Sequence, residues 1–450
     1  MNLKNISEVA ECLLREARRA GAEAADAIVA AGSQVSVDVR KGELEHAERS
    51  EGKEAGLRVI VGKKQACVAS YDLRQETFRE LAERAVAMAE VAPEDSSIGL
   101  ADGEQLATIL DFEKLELVDP SPEPRPEKLE EDALRAEASA GSVKGVSMVE
   151  SASAGYGRSA VHIAATNGFT GGYERTTRSC FCQAITGEGL GMETDGYGES
   201  RVFASDMSAP EEIGRIAGER TASRNGASKL GITGAYPVLF DERVARSLIQ
   251  HLLAAINGRA IARGSSWLLD AMEESVLPIS LSLKEEPHRP RSNSSKPFDA
   301  EGLPTAAKPL VDRGRLKTWT LDLATARKLG LESTGNAARG PSAPPSPSVS
   351  NVVLTEGASS REELLREMGA GLLVTSMIGS SINPTTGDYS RGASGFWVEN
   401  GEISRPVNEL TIAGNLKRIL LSIVPANDSR EFSSLRVPSL LVEGLTVAGS

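Results

Sequence analysis

Histidine and cysteine are scarce in this chain of 450 residues, with four of each. The nearest two histidines, His251 and His288, stand 37 positions apart, so no paired-histidine zinc helix of the HExxH or HExxxH type exists. Cys180 and Cys182 are the one close cysteine pair, and a single intervening residue is too few for a CxxC knuckle or redox motif. On an alternating strand the two would be same-face neighbours, which fits core packing of small apolar thiols. Aromatics make up only 4% of the chain and offer little to stack bases. Basic runs are missing as well. No more than two Lys or Arg are consecutive, and 50 basic against 63 acidic residues give a net charge of −13. Such a surface repels phosphate backbones, so direct DNA binding is not expected. No stretch approaches roughly 18 uninterrupted apolar residues, so no membrane span is expected. The first twenty residues contain acidic positions and no apolar core of a secretory signal. Cysteines without framework spacing fit a reducing compartment, and the expected location is the cytoplasm.

Standard catalytic loops are also lacking. Gly56 to Gly62-Lys63-Lys64 is one residue too long for a phosphate loop, and no Ser or Thr follows the lysine. Gly189-x-Gly191 lacks the third glycine of a dinucleotide fingerprint, and no GxSxG elbow occurs.

What is present is an α+β pattern. Val9, Leu13, Ala17 and Ala20 predict a helix over about 7–20. Val35, Val37 and Val39 alternate on a strand that ends at a Lys41-Gly42 turn, and strands over 56–61 and 65–71 flank a second turn. A helix over about 74–92 places Phe78, Leu81, Ala85 and Met88 on one face. Residues 93–127 read as a linker, a helix follows over 126–140, and 143–203 is strand-rich. Ser208-Ala-Pro-Glu211 has the form of a capping box opening a helix to about Asn225. The glycine-rich stretch from Gly226 to Gly234 divides the chain into an N-terminal domain, 1–228, and a C-terminal domain, 229–450. Within the first, 1–92 is a helix–strands–helix unit, 93–127 the linker and 128–228 the strand-rich part. The C-terminal domain opens with a short strand, and Asp241 caps a helix through about Ile256. Residues 285–297 and 339–350 are rich in Pro and Ser and must be loops, either mobile surface connections or functional segments. His288, between Pro287 and Arg289-Pro290, is a candidate ligand contact on the first of them. His251, alone on its helix, reads as a surface or core residue.

Five blocks of the C-terminal half carry a resemblance: PFDAEGLPT (297–305), LESTGNAARG (331–340), NPTTGDYSRGASGFWVENGEI (383–403), ELTIAGNL (409–416) and PSLLVEGLTVAG (438–449). Together with the strand block from Val35 to Tyr71 they resemble the TldD/PmbA family, in its TldE (PmbA) branch, in colinear order along the whole chain. The resemblance implies a two-domain fold of largely antiparallel sheets with helices packed on them and a strand-rich C-terminal domain. It also implies a cytosolic peptidase partnership. In this family TldD holds zinc through an HExxxH helix and a distant Cys, and TldE pairs with it to degrade unfolded or precursor peptides. Family members also carry the older label of modulator of DNA gyrase.

Aligned on Arg263-Gly264-Ser265-Ser266, the HExxxH register falls on Ile249, Gln250 and Ala254. His251 is off-register by two. Where TldD supplies its Cys, Val424 to Phe432 contains none. Zinc catalysis needs basic ligands and a carboxylate to take a proton from bound water. Ile and Ala cannot ligate, and Gln cannot act as that base. The resemblance therefore implies a non-catalytic subunit without a cofactor of its own, with zinc only in a TldD-type partner. The chain would form a heterodimer with that partner, or pair with itself when alone, and act on peptide substrates. A peptidase-independent adaptor of the gyrase-modulator kind is the alternative. Asn336, Asp388, Arg391 and Asn415, in blocks rich in turn formers, are read either as turn architecture or, with His288, as contacts to an extended peptide.

Overall fold

The computed structural model describes residues 3–108 and 112–449, so residues 109–111 of the expected linker lie outside the described residues. Helix α1 (Leu3–Arg19) leads into β1 (Ala24–Arg40) and β2 (Glu43–Val61), a long hairpin. Its two turn residues, Lys41 and Gly42, both have positive φ, 56° and 76°, as the tight turn of a twisted hairpin demands. Strand β3 (Lys64–Ser70) and helix α2 (Gln75–Val91) complete this unit. After the linker come α3 (Pro126–Gly141), β4 (Met148–Ala165), β5 (Thr170–Thr186), β6 (Glu193–Arg201) and α4 (Pro210–Ala222). The strands form one antiparallel sheet in the order β3-β2-β1-β4-β5-β6.

Alternation along β1 explains the layering. Ala25, Ala27, Val29 and Ala31 lie in the core beneath α1 and α2, while Val35, Val37 and Val39 lie in a second core beneath α3 and α4. All have odd numbers, so both helix pairs cover the same face of the sheet at opposite ends of its strands. Two sequence expectations are corrected here. Met88 is exposed, and the buried face of α2 is instead Phe78, Leu81, Ala82, Ala85, Val86 and Ala89. Ser208 does not cap α4: its N-cap is Ala209, with no side-chain bond, Ser208 donates to Glu199, and Glu211 binds Arg135. Proline at the first helical position starts the helix without that box.

The C-terminal part begins with β7 (Ser228–Lys229), β8 (Thr233–Phe240), α5 (Glu242–Ala255) and α6 (Gly258–Ala262). There follow β9 (Leu283–Glu285), β10 (Lys308–Asp312), β11 (Arg315–Leu316), α7 (Leu323–Leu329), β12 (Ala337–Ala338), β13 (Ser346–Pro347) and β14 (Val352–Leu354). The chain ends through α8 (Arg361–Met368), β15 (Gly371–Ile382), β16 (Asp388–Glu399), β17 (Glu402–Asn415), α9 (Leu416–Leu421), β18 (Val424–Pro425), β19 (Leu435–Arg436) and β20 (Leu440–Ala448). One sheet runs β18-β20-β8-β15-β16-β17-β7, and β20 also pairs with β17, so five strands close on themselves. A smaller sheet runs β11-β10-β9-β14-β19. Most pairings are antiparallel, as the α+β reading expects; β8 with β15, β7 with β17 and β14 with β19 are parallel. Among the described residues no helix is long and apolar enough to cross a membrane.

The two proline- and serine-rich segments are mostly loop, apart from the end of β9 in the first and β13 in the second, and each joins exposed residues such as His288 and Ser342 to others built into the interior. Ser292 and Ser295 are buried and bond to Asn351, and the Arg339 side chain is fully enclosed. These loops carry one seam between the two parts. There Asp26 of β1 accepts from Arg58 Nε of β2 at 2.6 Å and also meets Arg339. Beside them Phe298 packs edge-on against Phe169 and Tyr173, with ring centroids 5.0 and 5.7 Å apart.

Candidate functional site

Helix α5 forms because Asp241, at its N-cap, accepts from Arg243 N at 3.2 Å and because its apolar residues recur at helical spacing. Ala245, Leu248, Ile249, Leu252 and Ala255 are buried against the curled sheet, in a core shared with Val238, Phe240, Leu372 and Val374. The opposite ridge is Arg246, Gln250 and Ala254, all exposed and one turn apart. The three positions expected to mark the zinc register therefore do not share a face. Ile249 is fully buried, whereas Gln250 and Ala254 look outward. Each residue turns a helix by about 100°, so positions five apart diverge by about 140°.

The donors present do not fit a zinc ion. Ile249 and Ala254 carry no lone pair, Gln250 is no base, and all four cysteines belong to the N-terminal half. Cys180 and Cys182 are buried in its core, where loss of solvation pushes both thiols up to about 12, leaving them protonated. Among the described residues no three His, Cys, Asp or Glu side chains gather closely enough to hold a metal. The tail 424–432 does pass α5, through Arg430 Nε, which donates to Glu242 at 2.8 Å.

His251 has unexpected company. Its ring stands edge-on to Tyr389 of β16, with centroids 6.0 Å apart, and its Nε2 is buried without a partner among the described residues. Burial, followed by the charge of Arg391, holds the imidazole below its ordinary value, so it is neutral. Arg391 Nε is likewise buried without a partner among the described residues, and burial pushes the Tyr389 phenol up to about 12. Of the other candidates, Asp388 and Asn415 are brought together: Asn415 Nδ2 donates to Asp388 Oδ1 and to Thr386 O, each at 3.0 Å, and Asn415 caps α9. Asn336 and His288 lie with the smaller sheet instead. Asn336 is wholly buried and donates to both Glu285 oxygens, at 2.9 and 3.0 Å. His288 Nε2 is 2.9 Å from Thr305 Oγ1, on an exposed residue.

Sequence reasoning missed the cluster around the start of α5. A cavity of about 370 Å³ opens there between β6 and α5, lined among others by Arg220, Arg243, Arg246, Arg430 and Phe181. These residues are spread over 250 positions and form no motif; only Arg243 and Arg246, one turn apart on one helix, gave a local signal.

Family models described as PmbA/TldA metallopeptidase domain 1, central domain and C-terminal domain match residues 25–89, 119–225 and 233–449. Metalloprotease PmbA of Escherichia coli O157:H7 is 35% identical over 449 residues, covering 99% of this chain and 97% of that protein. A PmbA homolog of Haemophilus influenzae is 35% identical over 441 residues, covering 96% and 94%. A crystal structure described as a putative modulator of DNA gyrase from Bacteroides thetaiotaomicron matches with a TM-score of 0.90 at 26% identity, covering 98% of each chain. TldE from Thermococcus kodakarensis matches in fold, with a TM-score of 0.84 at 21% identity, over 98% of this chain and 99% of its own.

Proposed function

The chain belongs to the PmbA/TldD metallopeptidase family, and from that premise we propose that it is the metal-free subunit of a two-chain peptidase. The observation that carries this reading is the donor set on α5: Ile249 in the core, with Gln250 and Ala254 on the ridge. A helix that keeps its apolar face but has no ligand contributes scaffold and surface, not Lewis-acid chemistry. The partner in this reading is an HExxxH-bearing relative that supplies zinc and the general base. The substrates are unfolded or precursor peptides in the cytoplasm. His251 and Arg391 on the α5 side, each with a buried nitrogen that lacks a partner among the described residues, and His288 on the smaller sheet are the residues through which a peptide backbone would be held, while the Asn415 amide is already taken up by Asp388, Thr386 and Lys417. In the partner's absence the same surface serves to pair the chain with itself.

Co-expression with the HExxxH relative from the same genome tests the proposal. The expected result is a stable heterodimer that cleaves an unfolded peptide and loses all activity when the partner's glutamate is replaced by Gln. Cleavage by this chain alone would refute it. The gyrase wording attached to two solved relatives favours a second reading, an adaptor acting without any peptidase. Affinity capture from the native extract separates the two: recovery of gyrase with no HExxxH relative supports the adaptor.

A further inference from the structure

The cavity at the start of α5 concentrates positive charge in a protein whose net charge is −13. Four arginines line it, against Glu199 and Glu242. Glu199 is already engaged, accepting from Tyr197 and Ser208 hydroxyls at 2.8 Å and from Arg201 at 3.1 Å. Glu242 serves two cations, closely for Arg430 and at 3.5 Å for Arg220. Arg243 is held by Asp241 at 2.8 Å and Asp195 at 2.9 Å. Arg220 keeps Glu242 at 3.5 Å and lies over the Tyr197 ring, 4.9 Å from its centroid; burial and the charges of Arg243 and Arg430 disfavour its own charge, and those of Asp241 and Glu242 favour it. Arg246 makes no hydrogen bond or ion pair among the described residues and stands at the mouth. The N-terminus of the 14-residue α5 adds its partial positive charge to the same space.

On the side of β5 and β6 the lining offers an aromatic ring among polar residues. Phe181 of β5 is 40% exposed and lines the cavity. It lies across glycines of β6: a Cβ at Gly198 would stand 2.7 Å from Phe181 Cδ2, and one at Gly196 3.2 Å from Cζ. Glycine at both positions lets the ring lie down on the sheet. Leu435 and Val437, which belong to the core packed against α5, also line the cavity. The volume is that of a small-ligand site, and guanidinium forks recognise planar oxyanions. The exposed ridge of α5 leads from Arg246 to Gln250 and Ala254, two of the three positions that align with the HExxxH register.

We propose that this cavity is a carboxylate-binding pocket that seats an acidic peptide segment, holding a Glu or Asp side chain or a C-terminal carboxylate on the arginines and a neighbouring apolar side chain on Phe181. The proposal rests on the peptide-handling reading above and adds the substrate preference. Fluorescence anisotropy of the full-length chain, without partner or metal, tests it directly. The probes are a labelled Glu/Val peptide with a free C-terminus, its Gln-for-Glu analogue and the amidated form of each. The free-acid Glu peptide should bind roughly ten-fold more tightly than the amidated Gln peptide, and added salt should weaken it. Loss on Gln substitution assigns the side-chain carboxylate, and loss on amidation assigns the C-terminus. Arg246→Glu should remove the preference without changing the melting temperature, and Phe181→Ser should weaken binding of the Val-containing peptides. Equal binding of all four peptides, or an undiminished preference in both Arg246→Glu and Arg430→Gln, would overturn the pocket. Binding of inorganic phosphate that Arg246→Glu abolishes, with no peptide bound, would overturn the peptide assignment. Because the readout is binding by this chain alone, a failed partnership leaves it interpretable. Conversely, cleavage of neutral peptides by the complex would survive loss of the pocket.

Discussion

The two parts of the molecule meet at two charged seams that differ in kind. At the first, Asp26, Arg58 and Arg339 are almost wholly enclosed, and the side chain of Arg339 has no exposure at all. At the second, Arg220, Arg243 and Arg430 keep roughly a fifth of their side-chain surface in contact with solvent, and Arg246 is exposed, with no ion pair among the described residues. Enclosed ions without a cavity fix a geometry, because any unpaired member would be costly. Cations that border a cavity are available to a ligand. The first seam therefore ties β1 and β2 to the loop that carries Arg339, and the second borders a cavity.

Breaking the first seam should give the largest effect. Asp26→Ala leaves two buried guanidinium groups without their carboxylate and should cost about 3–5 kcal/mol in chemical unfolding. At the same seam, a Cβ on Gly56 would lie 1.9 Å from Pro341 O, a clash with backbone. Gly56→Ala should accordingly cost about 1–3 kcal/mol, read from the same unfolding curves.

Nearby Glu301 sharpens the comparison through pH. Burial, then the neighbouring Asp299, raises its carboxyl to about 8, from an ordinary 4.5. Between those values the folded chain holds a proton that the unfolded chain has released. Its contribution to stability therefore falls as pH rises from about 4.5 to about 8 and is level above that. Glu301→Gln, which can still accept from Leu323 N, should gain on the wild type across this window, as melting temperatures at pH 5 and pH 8.5 would reveal. The second seam should give the smallest stability change. Arg246→Glu and Gln250→Ala are surface substitutions, expected within about 0.5 kcal/mol of wild type.

Much of the frame was legible because local chemistry dictated it. Asp241 before an apolar 3.6-residue period announced α5, and Lys41-Gly42 announced the first hairpin. What local spacing hides is the direction of a side chain in the assembled fold. Ile249 and Gln250 are neighbours in a motif register, yet one is core and the other ridge, since successive helical residues differ by about 100°. Ser208 and Glu211 matched a capping box, but Glu199 and Arg135 offered stronger, charged partners. Asn336 was readable either as turn architecture or as a peptide contact, and it is buried Glu285 that takes its amide. The arginine pocket was invisible for a different reason: four positions between 220 and 430 converge only through tertiary packing.

The central claim, that α5 keeps the family's helix without its metal chemistry, is tested most directly by elemental analysis of purified protein. The account predicts no stoichiometric zinc in the chain alone and one ion per heterodimer, lost with the partner's HExxxH histidines and untouched by Gln250→Ala. Stoichiometric zinc in the chain alone would contradict it.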